Sequence, residues 1–522
     1  MLFSKHFIYC FFSKLLYKSV SFGNIYMKMK ITFKIMEVEV NTIKKSYTYK
    51  LIASFISFLE SSIKNSYIFS FLTKDINKEE QINKSYIMKG IYGIINILRK
   101  VFIFLKLDKV FKDSIFAKTH IWIALVIALA PFLPTMVILA GVLGVLVSFL
   151  IKICLTPNFK FKYTPVNMWV GVFLLVYIIF ACLSLEPVSS IKIAGVVGVF
   201  ILMYFAIVNC IETRKQLNTM LYIFVSAGLL VALYGIYQFV AGTIITTSWV
   251  DANMLNEIQT RVYSTLENPN VLGEYLLLVI PVCISLFFAN KNWFAKACIG
   301  AMACVMIVCL ALTYSRGCYL GLLASGTIFA LLLNIRFILL LIAGVISLPF
   351  VLPQSIMSRF TSIGNMSDSS TKYRLSIWTS SFEVIKDYWY RPIGQGAEAF
   401  NKVYPLYAQN GVGTQHAHNF FLQTTIETGI VGILSILMCL FRAVQYLFNG
   451  IKKAVKFADK IILIGFCSGI FGFLVQSIFD NTWYNYRVVL IFWIFIALAV
   501  RAKKFIDEEE RLLDDKSNAY NK

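Results

Sequence analysis

The sequence predicts an all-α, polytopic membrane protein of about twelve transmembrane helices with a large, partly helical extracytoplasmic loop. Three observations predict it. The 522 residues are 58% hydrophobic and their mean hydropathy is +0.72, a level that only a chain living largely in lipid sustains over such a length. Apolar runs near the length that crosses a hydrocarbon core, about 20 residues, recur between Ile121 and Val500. Lysine and arginine gather in alternate connections between those runs.

In order, the runs are 121–133, 135–152, 166–183, 189–208, 216–240 and 270–289. They continue with 293–313, 317–333, 336–353, 419–441, 460–480 and 486–500. The first two are short and share the break Pro131-Phe132-Leu133-Pro134, so they are two elements or one long kinked one. With residues 1–118 inside, the inner connections carry Lys152, Lys160, Lys162, Arg214, Lys215, Lys291, Lys296, Arg336, Arg442, Lys452, Lys453 and Lys456. The short outer connections near Pro134 and Glu186 carry neither Lys nor Arg. This asymmetry puts both termini in the cytoplasm and two longer loops, 241–269 and 354–418, outside.

Three parts follow. Residues 1–118 form a basic cytoplasmic or membrane-surface extension with 20 Lys+Arg against 8 Asp+Glu, which supplies +12 of the net charge of +22. Anionic lipid accounts for that charge, and no nucleic-acid partner is needed. Basic residues alternate with apolar ones in Tyr47–Ile52 and Tyr92–Lys100, the pattern of amphipathic surface helices. No cleavable secretory signal is expected, because a clean apolar core with a small-residue cleavage site is missing. Residues 119–500 are the membrane domain, and 501–522 a charged, solvated cytoplasmic tail containing Glu508-Glu509-Glu510. The eleven cysteines are scattered without a CxxC pair and are expected to be inert, buried thiols.

Loop 354–418 is too long for a simple connector. Asp368-Ser369-Ser370-Thr371 offers a helix N-cap, and Leu375, Trp378, Phe382, Ile385 and Trp389 then recur at helical spacing. Arg391-Pro392-Ile393-Gly394-Gln395-Gly396 breaks that helix. A second, short helix from about Ala397 presents Phe400, Val403 and Tyr404 on one side and is limited by Pro405. The apolar face lies on the membrane surface or caps a cavity between spans.

The chemistry concentrates where this loop ends. Two of the four histidines, His416 and His418, lie one residue apart, with Asn419 and a long apolar run directly after. Arg316, Arg374 and Arg261 fall on the same predicted side. Guanidinium suits phosphate because it stays charged and donates a fork of hydrogen bonds, and a histidine can take a proton from a hydroxyl near neutral pH. Glu427 falls about two turns into a span, where a carboxylate is functional or paired. Ordinary readings stand beside these: arginines at helix ends anchor at the interface, a histidine at a helix start caps it, and the aromatic stripe packs. Gly394-Gln395-Gly396 is a turn and not a nucleotide loop. No metal-ligand spacing is evident, so neither metal nor cofactor is expected.

In combination these residues resemble the O-antigen ligase/polymerase superfamily of integral-membrane glycosyltransferases, across roughly residues 210–485 and most strongly in 365–435. The family's His, its neighbour and the Gly-x-x-Gly that follows fall on His418, Asn419, Gly429 and Gly432. Arg-x-x-x-Leu falls on Arg316 and Leu320, Arg-x-x-x-Trp on Arg374 and Trp378, and Pro-x-Gly-x-Gly on Pro392, Gly394 and Gly396. Gln238 and Asn268-Pro269-Asn270 also resemble family positions. The resemblance implies a GT-C-type fold and, in cell-envelope polysaccharide biosynthesis, metal-independent transfer of a glycan from undecaprenyl diphosphate to an acceptor hydroxyl, with inversion. It implies that His418 activates the acceptor, that Arg316 and Arg374 hold the diphosphate, and that Arg261, His416, Asn419, Trp378 and Glu427 contact substrate. Family acceptors include saccharide, lipid and protein, and membrane lipids are the remaining partners. A transporter or flippase of lipid-linked glycans is the alternative, with a scaffold or sensor behind it.

Overall fold

Lipid offers no partner to a backbone N–H or C=O, so spanning segments must close their hydrogen bonds internally. In the computed structural model the described residues hold seventeen helices and no strand. Described are residues 85–242, 261–351, 353–364 and 368–520, within the unit Phe71–Lys522, together with Ser54, Ser57 and Ser61 of the unit Met1–Ser70. The amphipathic expectation at Tyr47–Ile52 and most of loop 241–269 lie outside the described residues.

The helices are α1 (Tyr86–Phe104), α2 (Leu107–Phe111), α3 (Thr119–Leu129), α4 (Thr135–Leu155), α5 (Pro165–Cys182) and α6 (Pro187–Cys210). Next come α7 (Arg214–Val240), α8 (Pro269–Ala289), α9 (Trp293–Ala311), α10 (Arg316–Leu333), α11 (Phe337–Val351) and α12 (Gln354–Thr361). The last are α13 (Ser369–Tyr388), α14 (Gly396–Val403), α15 (Phe420–Lys453), α16 (Phe457–Phe479) and α17 (Tyr486–Tyr520). Among the described residues nine, α4 to α10 with α15 and α16, are long and apolar enough to cross a membrane.

Each of the twelve apolar runs is a helix, but three depart from a simple span. With 11 residues α3 rises only about 16 Å. It folds back on α4 as a separate element, since Ser148 Oγ donates to Thr119 Oγ1 at 2.9 Å. Helix α11 has 15 residues. Helix α17 occupies the centre of the bundle, with Val488 to Val500 almost wholly inaccessible, and runs on to Tyr520 as a charged helix. Its start corrects the expectation of a solvated tail: Arg501 and Lys503 are each 1% exposed. Arg501 forks onto Glu508 at 2.8 and 3.1 Å and lies 3.6 Å from the Phe505 ring centroid, while Lys503 pairs with Asp507. Buried cations on this scale are tolerated because each is paired.

Small residues set the closest approach in the bundle. A Cβ at Gly321 of α10 would sit 2.7 Å from the Gly472 carbonyl of α16, and one at Gly472 would sit 2.8 Å from the Gly321 carbonyl. That contact ties the start of α10, which carries Arg316, to the end of α16, which leads into Asp480.

The loop 354–418 folds as expected. Asp368 caps α13 by accepting from Thr371 N at 3.1 Å, and α14 buries Phe400, Val403 and Tyr404. Together with Ile377, Val384 and Ile393 these residues form a small core of their own against α15. The stripe on α13 is only partly packed, because Leu375, Phe382 and Trp389 remain exposed.

Helix α15 is broken at Gly429, whose φ of 63° and ψ of −173° belong to a region open essentially to glycine alone. The broken turn frees Ile426 O and Ile430 N, and the loop takes both. Ile393 N donates to Ile426 O at 3.2 Å, and Ile430 N donates to Trp389 O at 2.8 Å. A Cβ at Gly429 would meet that same Trp389 oxygen at 2.9 Å. Gly429→Ala should therefore cost about 1–3 kcal/mol and lower the unfolding temperature in detergent. Gly413→Ala, where a Cβ meets nothing within 4 Å, should not. Equal stability of the two variants would contradict the break.

Candidate active site

The start of α15, the end of α16 and helix α13 converge on His418. Asn419 is the N-cap of α15: its Oδ1 accepts from Leu422 N at 3.0 Å and its Nδ2 donates to Ile478 O at 2.9 Å. Both ends of that side chain are thus taken up in joining α15 to α16. His418 itself has a positive φ of 45°, an unfavourable conformation for a residue with a side chain. Neighbours hold it there. Trp378 Nε1 donates to His418 O at 3.2 Å, and His418 N donates to His416 Nδ1, also at 3.2 Å.

The His418 imidazole points at Asp480, with Nδ1 and Oδ1 3.1 Å apart. Burial alone would raise the Asp480 carboxyl, but the bond and charge of His418, with Arg374 and His416 behind it, hold it well below the usual carboxylate range. Asp480 is therefore ionised at neutral pH, and this contribution is lost only as the pH falls below that range. An ionised carboxylate only accepts, so His418 Nδ1 is the donor in this bond and Nε2 is the ring nitrogen that takes no part in it. The side chains of His418 and Asp480 are 23% and 10% exposed, so the imidazole is the more accessible of the pair. Asp480 Oδ2 accepts from Asn270 Nδ2 at 2.7 Å, and Asn270 Oδ1 accepts from Arg261 at 3.4 Å.

His416 lies 4.1 Å from His418, centroid to centroid, and 4.7 Å from the Tyr484 ring, to which it is tilted by 41°. Burial and the neighbouring His418 push its pKa down to about 4, so it is neutral around pH 7. Its Nδ1 accepts from the His418 amide, which places its proton on Nε2.

On one side of this group opens a cavity of about 310 Å³ lined by Arg261, Arg316, Arg359 and Arg374, with Asp368 and Trp378. The starts of α10 and α13 also open into it, and helix N-termini favour anions. Asp368 pairs with Arg316 at 2.7 Å. Although burial opposes ionisation there, that partner keeps the Asp368 carboxyl below its ordinary range. Burial and the charges of Arg359 and Arg374 lower the Arg261 guanidinium to about 10, still protonated at neutral pH. Arg261 is fastened through its Nε to Thr313 O at 3.0 Å, beside a loop pinned by Gln238, which accepts from Ser264 N at 2.7 Å.

A second cavity, also about 310 Å³, opens beside His416 and contains Glu427. Glu427 finds its partners in the loop and in its own helix: Oε1 accepts from Gly396 N at 3.0 Å and from Gln423 Nε2 at 2.8 Å.

Seven of the eight residues singled out from sequence line one of the two cavities or form the histidine pair, and Asn419 braces that pair. Sequence reasoning missed Asp480 and Arg359. Asp480 closes an apolar run on the side predicted for His418, which is the signal that could have found it; Arg359 lies within the same long loop. The sequence shows no metal-ligand spacing, but the fold brings three possible ligands together. His416, His418 and Asp480 offer ligand atoms within 4.8 Å of one another and could hold an ion. Asp480 is too far away in sequence for spacing to reveal it.

Residues 301–437 match the family model described as O-Antigen ligase. The match spans Arg316, Arg359, Arg374, both histidines and Glu427, and it supports the superfamily resemblance in the segment that builds most of the site. No curated protein matches the chain.

The cavity's four guanidinium groups against one carboxylate are suited to an anion. Inorganic diphosphate should raise the unfolding temperature of the purified protein, less so at high salt. Arg374→Ala should lose most of that rise. An equal rise in the variant, or none in the wild type, would contradict the assignment.

Proposed function

We propose that this polytopic membrane protein is a glycosyltransferase that moves a glycan from undecaprenyl diphosphate to an acceptor hydroxyl, as a ligase or polymerase of envelope polysaccharide. The observation that carries the reading is a His–Asp pair joined through Trp378 and Asn270 to a cavity rich in arginine and through His416 to a second cavity that contains Glu427. The O-Antigen ligase match across most of these residues supports it.

In the proposed reaction the diphosphate of the donor lies among Arg316, Arg359 and Arg374. His418 Nε2 takes the proton of the acceptor hydroxyl as its oxygen attacks the anomeric carbon from the side opposite the carrier. A new C–O bond forms with inversion, and the bond to the diphosphate breaks. The carrier leaves with the electron pair, its charge stabilised by the guanidinium groups. Asp480 fixes the His418 tautomer and stabilises the imidazolium as it forms. Trp378 is a positioning residue through its bond to the His418 carbonyl.

A metal-independent course is supported by the hydrogen bonds. Asp480 Oδ1 already accepts from His418 and from Asn481 N, Oδ2 accepts from Asn270, and His416 Nδ1 accepts from His418 N. An extracytoplasmic site is supported by the cations Arg214, Lys453, Lys456 and Arg501 at the other ends of the helices. Helix α1, with Tyr86, Ile94, Ile97 and Phe104 exposed beside Lys89 and Lys100, suits the surface of the inner leaflet.

Purified full-length protein, lipid-linked saccharide and envelope extract from the same source test the reading. Asp480→Asn should slow transfer by about 10²–10⁴-fold without loss of folding. Arg316→Lys keeps the charge but not the fork, and should lose about 10²–10³-fold. EDTA should change nothing. Wild-type rates in well-folded Asp480→Asn, or inhibition by EDTA that a divalent ion reverses, would overturn the mechanism.

A further inference from the structure

The transfer reading leaves the second cavity without an occupant. Its walls come from α5 and α6, from α15 and from the connection 481–485 that leads into α17. Tyr484, 49% exposed, stands at one side with its ring against His416. Its hydroxyl donates to Gln415 Oε1 at 3.4 Å, so that the phenol is held as a platform at the mouth. Glu427 lines the same cavity. Both hydrogen bonds to its carboxylate fall on Oε1, from Gly396 N and Gln423 Nε2, so Oε2 is left for a donor from a ligand. Asn485 and Gln423 add amides to the lining. The cavity's cation Arg487 is already joined to Glu267 at 3.0 Å.

This is an unusual lining for a lipid tail or an anion. A tail needs an apolar slot, and an anion needs an unpaired cation. Aromatic side chains together with a carboxylate and amides fit the two aspects of a pyranose, its C–H face and its ring of hydroxyls. Resting on the transferase reading, the geometry points to this cavity as the acceptor site, and to the acceptor as an uncharged saccharide recognised by Tyr484 and Glu427. A sugar seated there has His416 at its edge and His418 one ring further, 4.1 Å away between centroids, on the side of the arginine cavity. The His418 amide occupies His416 Nδ1, so His416 turns its Nε2 to the incoming hydroxyl, whereas His418 Nε2 removes the proton. The break at Gly429 has a role in this arrangement, because the loop it docks supplies the Gly396 amide that orients Glu427.

The probe is the neutral oligosaccharide fraction released by mild acid from the source's own envelope polysaccharide, labelled at its reducing end with an uncharged fluorophore. Its binding to full-length wild type, Tyr484→Ala and Glu427→Gln would be followed by fluorescence polarisation. Thermal stabilisation by inorganic diphosphate would be measured on the same samples as a control for folding and for the other cavity. The expected result is saturable binding by the wild type, weakened at least about tenfold in both variants, with the diphosphate response unchanged. Equal binding by all three proteins would overturn the site. So would failure of the free oligosaccharide to bind where the same glycan still attached to its lipid does bind, an outcome that assigns the acceptor to the lipid. Should wild type release no carrier from its donor but still bind oligosaccharide in a Tyr484-dependent manner, the transfer reading fails and the saccharide site stands.

Discussion

A helix interrupted inside an apolar bundle leaves backbone groups that neither water nor lipid will satisfy. At Gly429 the protein meets that demand with the loop before α15: Trp389 O and Ile393 N replace the one helical bond lost between Ile430 and Ile426. Much of the site depends on this exchange. It anchors the segment 389–396, whose Gln395 side chain reaches Tyr177 O on α5 at 3.1 Å and whose Gly396 amide holds Glu427. Downstream of that anchor the small core of α13 and α14 sets the path back to the histidines, and Trp378 clasps the backbone there. A long loop whose position would otherwise be weakly determined is thereby fixed to the spans on which the other half of the site is carried.

The electrostatics follow from the same convergence. Arginines from the start of α10, from α12 and from α13 face one cavity together with Arg261, whose own hold on its proton is weakened by burial and by the charges of Arg359 and Arg374. Crowded like charges raise the energy of the empty cavity and favour a ligand that brings compensating charge. A single carboxylate, Asp368, tempers this and holds Arg316 while also capping α13. Asp480 occupies the complementary place, buried beneath His418 and fastened by Asn270 and by its own following amide.

The spans were legible because burial in lipid demands long apolar runs, and every predicted run is a helix. Less legible was how long each helix is. Nothing local distinguishes the buried α17 from a lipid-facing span, and Arg501 and Lys503 lie in the core only because Glu508 and Asp507 stand one or two turns further along the same helix. The loop's helices could be read from Asp368, Pro392 and the aromatic spacing. Gly429 could be noticed as a motif position, but its break could not, because glycine is common in membrane helices and the bonds that replace the lost turn come from another segment. His418, Arg316 and Arg374 were legible as residue types suited to a proton and a phosphate. Asp480 and Arg359 were not, since only the folding of α12 and α16 brings them to the others.

The account's central claim is that the donor's diphosphate lies among the arginines beside His418. It is tested most directly by an electron cryo-microscopy structure of full-length His418→Ala in lipid nanodiscs with its lipid-linked saccharide bound. The account predicts diphosphate density against Arg316, Arg359 and Arg374, with the first sugar turned toward position 418. Diphosphate density at the other end of the bundle, in the cavity lined by Arg214, Lys291 and Lys456, would contradict it.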